Sequence, residues 1–365
     1  MKIALVHDML TQFGGAEKVL KALTDIYPKA PIFTLIYNEK KFGGIFPRNK
    51  VRSSFLQNFP YAKTKFELYL PLMPLAAENF DLSEFDLVIS SSSSFANGVI
   101  IKPPTKHICY CHTPTRYLWI DSKNYINNLK YNKFIKTILP LILNRLKIWD
   151  KSAADKTDNF IANSENVKER IKKHYNRDSA VIYPPVETEK FFVSQNKNDY
   201  FLIGGRLVSY KKFDLAIEAF NKLKIPLKIF GEGPDYKKLK KIADKNIQFL
   251  GFVSEREKAE LYSKARAFIY PHEEDFGITV IEAIASGTPI IAYKAGGALE
   301  SIIEGVNGEF FTEQNWKTLA DKISNFDSNN YNPIEIKKLA KKFNENAFKR
   351  KIKEFVGKNT KSLIL

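Results

Sequence analysis

The residue types best suited to chemistry are concentrated in Tyr270-Pro271-His272-Glu273-Glu274-Asp275-Phe276-Gly277-Ile278-Thr279-Val280-Ile281-Glu282-Ala283, with seven residues between Glu274 and Glu282. The pattern predicts a strand ending at Tyr270, a turn, and a helix opening near Phe276–Gly277. Glu274 then lies in the turn, and Glu282 about one and a half turns inside the helix. The N–H groups of Phe276, Gly277 and Ile278 have no intrahelical partners at such a start, where the dipole favours a phosphate or a sugar hydroxyl. A carboxylate inside the helix can accept two hydrogen bonds from vicinal hydroxyls, as a ribose offers. A helix capped only by acidic residues is the plainer alternative. Gly277 and Gly287-Thr288-Pro289 weigh against it.

Three further segments carry chemically useful groups. Gly204-Gly205-Arg206-Leu207-Val208-Ser209-Tyr210-Lys211-Lys212 ends a strand in two glycines and presents cations from one loop. Arg binds phosphate as a planar fork and Lys as a point charge, so Arg206 and Lys211 could hold a pyrophosphate. Spacing from Arg206 favours Lys211 over Lys212, and a solvated basic loop is the simpler reading of this segment taken alone. Cys111-His112-Thr113-Pro114-Thr115-Arg116-Tyr117-Leu118-Trp119 follows a predicted strand. Open α/β sheets bind ligands at that carboxyl edge. Gly14-Gly15 leaves bare backbone that a ligand can approach. The full G-x-G-x-x-G and its acidic partner are missing there, which disfavours a dinucleotide fold.

Strands and helices must place these groups. Strands are expected at Ile3–Val6, Ile32–Tyr37, Leu87–Ser90, His107–Cys111 and Phe160–Ala162, then at Tyr200–Ile203, Leu227–Phe230, Ile247–Leu250, Ala267–Tyr270 and Pro289–Ala292. Val19, Leu20, Leu23 and Ile26 mark a helix after Gly14-Gly15. Asp214 is the expected N-cap of a helix over Asp214–Leu223. Short apolar runs alternating with longer segments indicate α/β with mostly parallel sheets. Pro184-Pro185 places a hinge near 184–198. The expected domains are 1–190, 191–340 and a Lys-rich helical tail, 341–365, packing back on the first. Ser90–Ser94 looks like a strand end entering a turn. Over 126–149, Ile126, Leu129, Ile135, Ile138, Leu139, Leu143, Leu146 and Trp149 form an apolar face and Lys130, Lys133, Lys136, Arg145 and Lys147 a basic one. Two readings stay open for it: a core-packed helix pair kinked at Pro140, or an element lying on anionic lipid.

Composition bounds the rest. The chain has 365 residues, enough for about two domains. Its net charge of +17 excludes an acidic or disordered chain and implies an anionic companion. The charge is spread along the chain with no basic tail, against an arm-type nucleic-acid binder. Two cysteines, Cys109 and Cys111, fit a reducing compartment and a packing role. The start of the chain turns polar too early for a signal peptide, and no run of about 18 apolar residues is present.

In order along nearly the whole chain, GGAEK, HTPTRYLW, GGRLVSYKK, FGEGPD and EEDFGITVIEA resemble a family 4 glycosyltransferase of the GT-B type. With LPLMPLAAENFDLSEFDLVISSS, they are most similar to bacterial mannosyltransferases of O-antigen, capsule or exopolysaccharide assembly. The resemblance implies two facing Rossmann-like domains with an interdomain cleft. It implies retaining transfer of a hexose from a nucleotide-diphosphate sugar to a lipid-linked or glycan hydroxyl. Mannose from GDP-mannose is the favoured donor, a UDP-sugar the alternative. No Asp-x-Asp occurs, so no metal or other cofactor is expected.

By the same resemblance, His112, Arg206, Lys211 and Glu274 are catalytic. Arg206 and Lys211 bind the diphosphate, Glu274 and the backbone of Phe276, Gly277 and Ile278 the sugar and phosphate, and Glu282 the ribose. Gly14 and Gly15 approach the donor, Gly231, Val253 and Ser254 lie near the base, and Arg116 and Tyr117 face the acceptor. The expected setting is cytoplasmic, peripheral on an anionic inner membrane, with no nucleic-acid partner. Lys63, Lys65, Phe66 and Tyr69 join the 126–149 segment in that expectation. A nucleotide-sugar 2-epimerase of similar architecture is the competing enzyme, and a basic nucleic-acid-binding module the competing non-enzyme.

Overall fold

The computed structural model describes residues 1–120, 122 and 133–360. It divides into two units: Met1–Pro185 with the segment from Phe348 onward, and Val186–Ala347. Each unit is built on one parallel sheet.

In the first unit the strands are β1 (Ile3–Leu10), β2 (Ile32–Tyr37), β3 (Val51–Ser53), β4 (Leu87–Ser92), β5 (Lys106–Cys111), β6 (Asn159–Ala162) and β7 (Ser179–Val181). They pair in the order β3-β2-β1-β4-β5-β6-β7, every pair parallel. The strands read as continuous apolar runs because parallel sheets are covered on both faces. The helix Gly15–Ile26 seats Val19, Leu20 and Leu23 in a core shared with Leu5, Ile89, Ile108 and Ile161. Phe348, Ile352 and Val356 of the helix Glu345–Asn359 complete that core. Leu139, Leu143 and Leu146 of the helix Lys133–Lys156 join a second cluster with Leu35, Ile36 and Met73.

In the second unit, β8 (Phe201–Gly204), β9 (Leu227–Phe230), β10 (Ile247–Gly251), β11 (Phe268–Tyr270), β12 (Ile290–Tyr293) and β13 (Gly308–Phe311) pair in the order β10-β9-β8-β11-β12-β13. All of these pairs are parallel too. Leu202, Ile203, Ala216, Ile217, Phe220, Ile269, Ile281, Ile284 and Ile291 are buried in this unit.

All ten expected strands form, and β3, β7 and β13 are additional. Four other expectations change. Asp214 is not an N-cap: the helix runs Phe213–Leu223, and Lys212, at φ +53°, precedes it without a side-chain cap. Asp214 instead puts its carboxylate in the first turn, where the dipole favours it. The helix that carries Glu282 starts at Ile278, with Gly277 as N-cap, and Glu274 stays in the loop before it. Pro140 lies inside one continuous helix, so the described part of 126–149 is not a helix pair. The Lys-rich end is three pieces: Pro333–Leu339, the 3-10 turn Ala340–Phe343, and Glu345–Asn359. Ile126, Leu129 and Lys130, and the side chains of Lys133, Ile135 and Lys136, lie outside the described residues. Cys109 and Cys111 are buried together against Ala154, Phe160 and Val167.

Candidate active site

In each sheet the strand order reverses once, and the chemistry gathers at the reversal. In the second sheet β9 and β10 extend beyond β8, while β12 and β13 extend beyond β11. Chains leaving the carboxyl ends of β8 and β11 therefore diverge and leave a crevice, where open α/β sheets bind ligands. Residues 205–212 follow β8 and residues 271–277 follow β11, so topology brings the basic loop and the acidic loop side by side.

Their meeting point is an ion pair. Lys211 Nζ lies 2.7 Å from Glu274 Oε1, with the side chains 10% and 21% exposed. The Tyr270 hydroxyl donates to Glu274 Oε2 at 3.0 Å, and His272 Nε2 lies 3.4 Å from Oε1. Burial acts against the charge on Glu274, yet the Lys211 ammonium, and then His272, hold its carboxyl well below the usual range. Burial likewise disfavours the Lys211 charge, but Glu274 raises Lys211 above its ordinary value. Both groups are ionised at neutral pH. Lys211 rather than Lys212 thus belongs to the cluster. Arg206 is exposed on the same loop.

Two glycines make this geometry possible. Gly205 is at φ +131°, and a Cβ there would stand 3.0 Å from Lys211 Nζ. Gly277 is at φ +89°, and its Cβ would press within 2.8 Å of the Tyr270 hydroxyl that holds Glu274. The amide of Gly297 donates to the Glu274 carbonyl at 2.9 Å, tying the acidic loop from the other side. The ring of Phe276, 3% exposed, packs edge-on against Phe343. Ile278 opens a helix that no side chain caps. Gly231 lies against the backbone of Gly205, and the Leu207 amide donates to Glu232 O at 2.9 Å, so the loop after β9 braces the basic loop.

Glu282 is held by other side chains, and its charge also favours the charged form of Lys211. Its Oε1 lies 2.9 Å from Lys258 Nζ, and the Tyr262 hydroxyl donates to Oε2 at 3.4 Å. Ser254 forms a capping box with Glu257 at the start of the helix Glu255–Lys264. Val253 lines a cavity of about 360 Å³ with Tyr200, Lys228 and Phe252. Val253 and Ser254 follow β10, which β9 and β8 separate from β11 in the sheet.

The first sheet reverses between β1 and β4. Gly14 and Gly15 follow β1, the serine run follows β4, and His112 follows β5. Gly14 is the extended N-cap of the helix Gly15–Ile26. His112 Nε2 lies 2.8 Å from Ser91 Oγ. Burial, with His7 acting in the same direction and Asp8 against it, pushes His112 down to about 3, so it is neutral at neutral pH. Arg116 and Tyr117 are half-buried in the short helix Arg116–Trp119. That segment is anchored by the buried Asp150, which accepts from Trp119 Nε1 at 2.6 Å, Tyr175 at 2.7 Å and Thr115 at 3.3 Å.

Several organising residues were not singled out from the sequence: Tyr270, His272, Lys258, Asp150 and, above all, Asp8. Asp8 accepts five hydrogen bonds, from the amides of Ser93, Ser94, Phe95 and Ala96 and from the Ser93 hydroxyl. The available signal was a His-Asp pair inside the apolar run of β1. Among the described residues no group of three or more His, Cys, Asp or Glu is arranged to hold a metal.

The family model described as Glycosyltransferase Family 4 matches residues 13–190, and that described as Glycosyl transferases group 1 matches residues 186–350. The O-antigen chain mannosyltransferase RfbU of Salmonella typhimurium is 33% identical over 211 residues, 50% of this chain and 56% of that protein. A GDP-mannose-dependent alpha-mannosyltransferase of Corynebacterium glutamicum is 38% identical over 105 residues, 28% of this chain and 25% of that protein. The matches thus span between a quarter and just over half of these relatives' lengths. The crystal structure of Anabaena HepE in complex with UDP-glucose superposes with a TM-score of 0.72 at 19% identity, covering 98% of this chain and 100% of that one. The chain belongs to the family 4 glycosyltransferases, with group 1 sequence in its second half and the GT-B architecture.

Proposed function

We propose that this protein transfers a hexose from a nucleotide-diphosphate sugar to an acceptor hydroxyl, with retention and without a metal ion. The observation that carries the reading is the Lys211–Glu274 pair at the reversal of the second sheet, beside the exposed Arg206. Departure of the sugar leaves negative charge on the diphosphate. Fixed cations at that point stabilise the transition state more than the ground state. Arg206 forks onto the diphosphate, and Lys211, steered by Glu274, neutralises it. Glu274, held ionised, accepts hydrogen bonds from donor-sugar hydroxyls. The uncapped amides at Gly277 and Ile278 receive phosphate or sugar oxygens. Glu282, a carboxylate held by Lys258 and Tyr262, accepts from the ribose hydroxyls. A leaving phosphate oxygen removes the acceptor proton on the same face.

Mannose from GDP-mannose is the favoured donor, supported by the names of the two relatives. A UDP-sugar is the second reading, favoured by the UDP-glucose in the HepE structure. The acceptor is a lipid-linked or glycan hydroxyl of a surface polysaccharide, met at an anionic membrane face. No helix among the described residues is long and apolar enough to cross a membrane. Tyr61, Leu68, Leu72 and Leu75 are exposed in the segment that carries Lys63 and Lys65, as an interfacial contact requires.

The test is to incubate the protein with GDP-mannose or UDP-glucose, with and without acceptor glycolipid and with a chelator. Nucleoside diphosphate release and anomeric configuration are then measured. Acceptor-dependent, chelator-resistant release with retention is expected. An altered nucleotide sugar formed without acceptor would identify an epimerase instead. Vesicles containing anionic lipid should bind at low salt, and their failure to bind removes the membrane proposal alone.

A further inference from the structure

Behind His112 runs a line of buried polar side chains that the proposed chemistry does not use. His7 and Ser91 are register partners on β1 and β4, so their side chains share one face of the sheet. Ser91 Oγ lies 2.8 Å from His112 Nε2 and 3.2 Å from His7 Nδ1. His7 Nε2 lies 3.5 Å from Glu17 Oε1. His7, Ser91 and Glu17 are 2%, 0% and 7% exposed. The line therefore runs Glu17–His7–Ser91–His112, with His112 at its sheet-edge end.

We propose that Glu17, His7 and Ser91 are positioning residues that fix His112 as its Nε2–H tautomer and leave Nδ1 as a bare acceptor. A carboxylate can only accept, so a neutral His7 must place its proton on Nε2, toward Glu17. His7 Nδ1 is then an acceptor, and the Ser91 hydroxyl donates to it. The Ser91 oxygen, its proton committed, accepts from His112 Nε2–H. The reverse polarity would set the Glu17 carboxylate against a bare His7 lone pair, two buried acceptors facing each other. Gly14 leaves room for this arrangement, since a Cβ there would come within 3.3 Å of Glu17 Oε2. The consequence for His112 is chemical. Its free nitrogen accepts from a sugar hydroxyl and does not donate to a phosphate. That consequence rests on the reading above, in which His112 faces the donor sugar.

The tautomer can be observed without turnover. The chain has five histidines, so ring-15N-labelled protein gives a countable spectrum, with His112→Gln assigning its ring. At pH 8, where an ordinary imidazole is neutral, His112 should show a pyrrole-like Nε2 and a pyridine-like Nδ1. Ser91→Ala and Glu17→Leu should mix the two tautomers. Glu17→Gln, whose carbonyl oxygen still accepts, should keep the single form. With GDP-mannose as the donor probe, Ser91→Ala should lower kcat about tenfold with the donor KM nearly unchanged, the size of one orienting hydrogen bond. A wild-type His112 protonated on Nδ1, or a single Nε2–H form that survives both Ser91→Ala and Glu17→Leu in folded protein, overturns the proposal. Mixed tautomers with unchanged kcat would uphold the relay and refute the contact between His112 and the donor.

Discussion

Replacing Lys211 by methionine removes one charge from a buried pair and leaves the other behind. Breaking such a pair costs about 3–5 kcal/mol when the remaining charge is fully buried. Glu274 keeps the Tyr270 hydroxyl at 3.0 Å, and its side chain is 21% exposed, so the low end applies. Taking ~3 kcal/mol, and a second unit of roughly 160 residues, the unfolding midpoint of that unit should fall about 6–12 °C. The variant should also reverse the acid response. In the wild type the Glu274 value is lowered below 4.5, so its stabilisation is present above that pH and is lost on acidification. In Lys211→Met, burial dominates and raises the value, so acidification neutralises Glu274 and the variant gains stability as pH falls through it. Calorimetry across a pH series reads both effects. Nucleoside diphosphate release reads the third, a loss in turnover on the order of 10²–10³. Lys212→Met is the control, because it removes the neighbouring charge of the same loop and leaves the Lys211–Glu274 pair in place. Its midpoint should move by less than about 1 kcal/mol equivalent and its turnover should stay near normal. Equal behaviour of the two variants would refute the reasoning.

Acid should weaken the first unit by a countable number of protons. Burial holds His107 at about 4 and His112 at about 3, while it raises Asp150 to about 6. Between pH 4 and 6 the unfolded chain binds the protons of His107 and His112 that the fold refuses, with a further contribution from His174, which burial also lowers, and the fold binds one aspartate proton that the unfolded chain refuses. Stability should thus fall on acidification by at least about 1.4 kcal/mol per pH unit, and Asp150→Asn should steepen that slope; a flat profile contradicts it. Gly277→Ala combines φ +89° with a Cβ 2.8 Å from the Tyr270 hydroxyl, and should cost about 1–3 kcal/mol of stability while weakening nucleotide binding measured by titration calorimetry. Glu282→Gln should raise the donor KM with kcat little changed, and an unchanged KM would remove the ribose contact.

Nine of the ten strands that sequence patterning finds have a neighbour on each side, and only β10, beside β9, is at a sheet edge. β1, β2, β4, β5 and their counterparts in the second sheet are apolar runs because neighbours cover them. The three additional strands, β3, β7 and β13, are all at sheet edges. Val51-Arg52-Ser53 and Ser179-Ala180-Val181 have one partner each and carry no apolar run to detect. The serines from Ser90 to Ser93 look like a featureless polar tract, because what each one does is set by a residue far away in sequence. Ser90 meets His107, Ser91 meets His7 and His112, and Ser93 meets Asp8. Asp214 misleads for a local reason: a left-handed Lys212 turns the chain into the helix one residue earlier and leaves no cap position for it.

Motif spacing identifies Lys211 and Glu274 separately as candidates but says nothing about their distance from each other, because they are joined by strand order. β8 and β11 are neighbours only because β9 and β10 were laid down on the other side of β8. That choice puts a lysine and a glutamate 63 positions apart in the chain within 2.7 Å. The pair explains why a chain of +17 sets an acidic residue against this basic loop. An unpaired, nearly buried ammonium would lose its proton to desolvation, and Glu274 prevents this by raising Lys211 above its ordinary value. On the function proposed above, a bound diphosphate meets a lysine already charged and already aimed, so no free energy is spent protonating or reorienting it as the sugar leaves. The same argument sets the direction of specificity. Glu274, held ionised by Lys211, offers acceptors only, and a donor must present hydroxyls to it rather than carboxylates or phosphates. Uronic-acid donors whose carboxylate falls on Glu274 should bind more weakly than the neutral hexose on the same nucleotide, and equal binding of the two would show that Glu274 does not face the sugar.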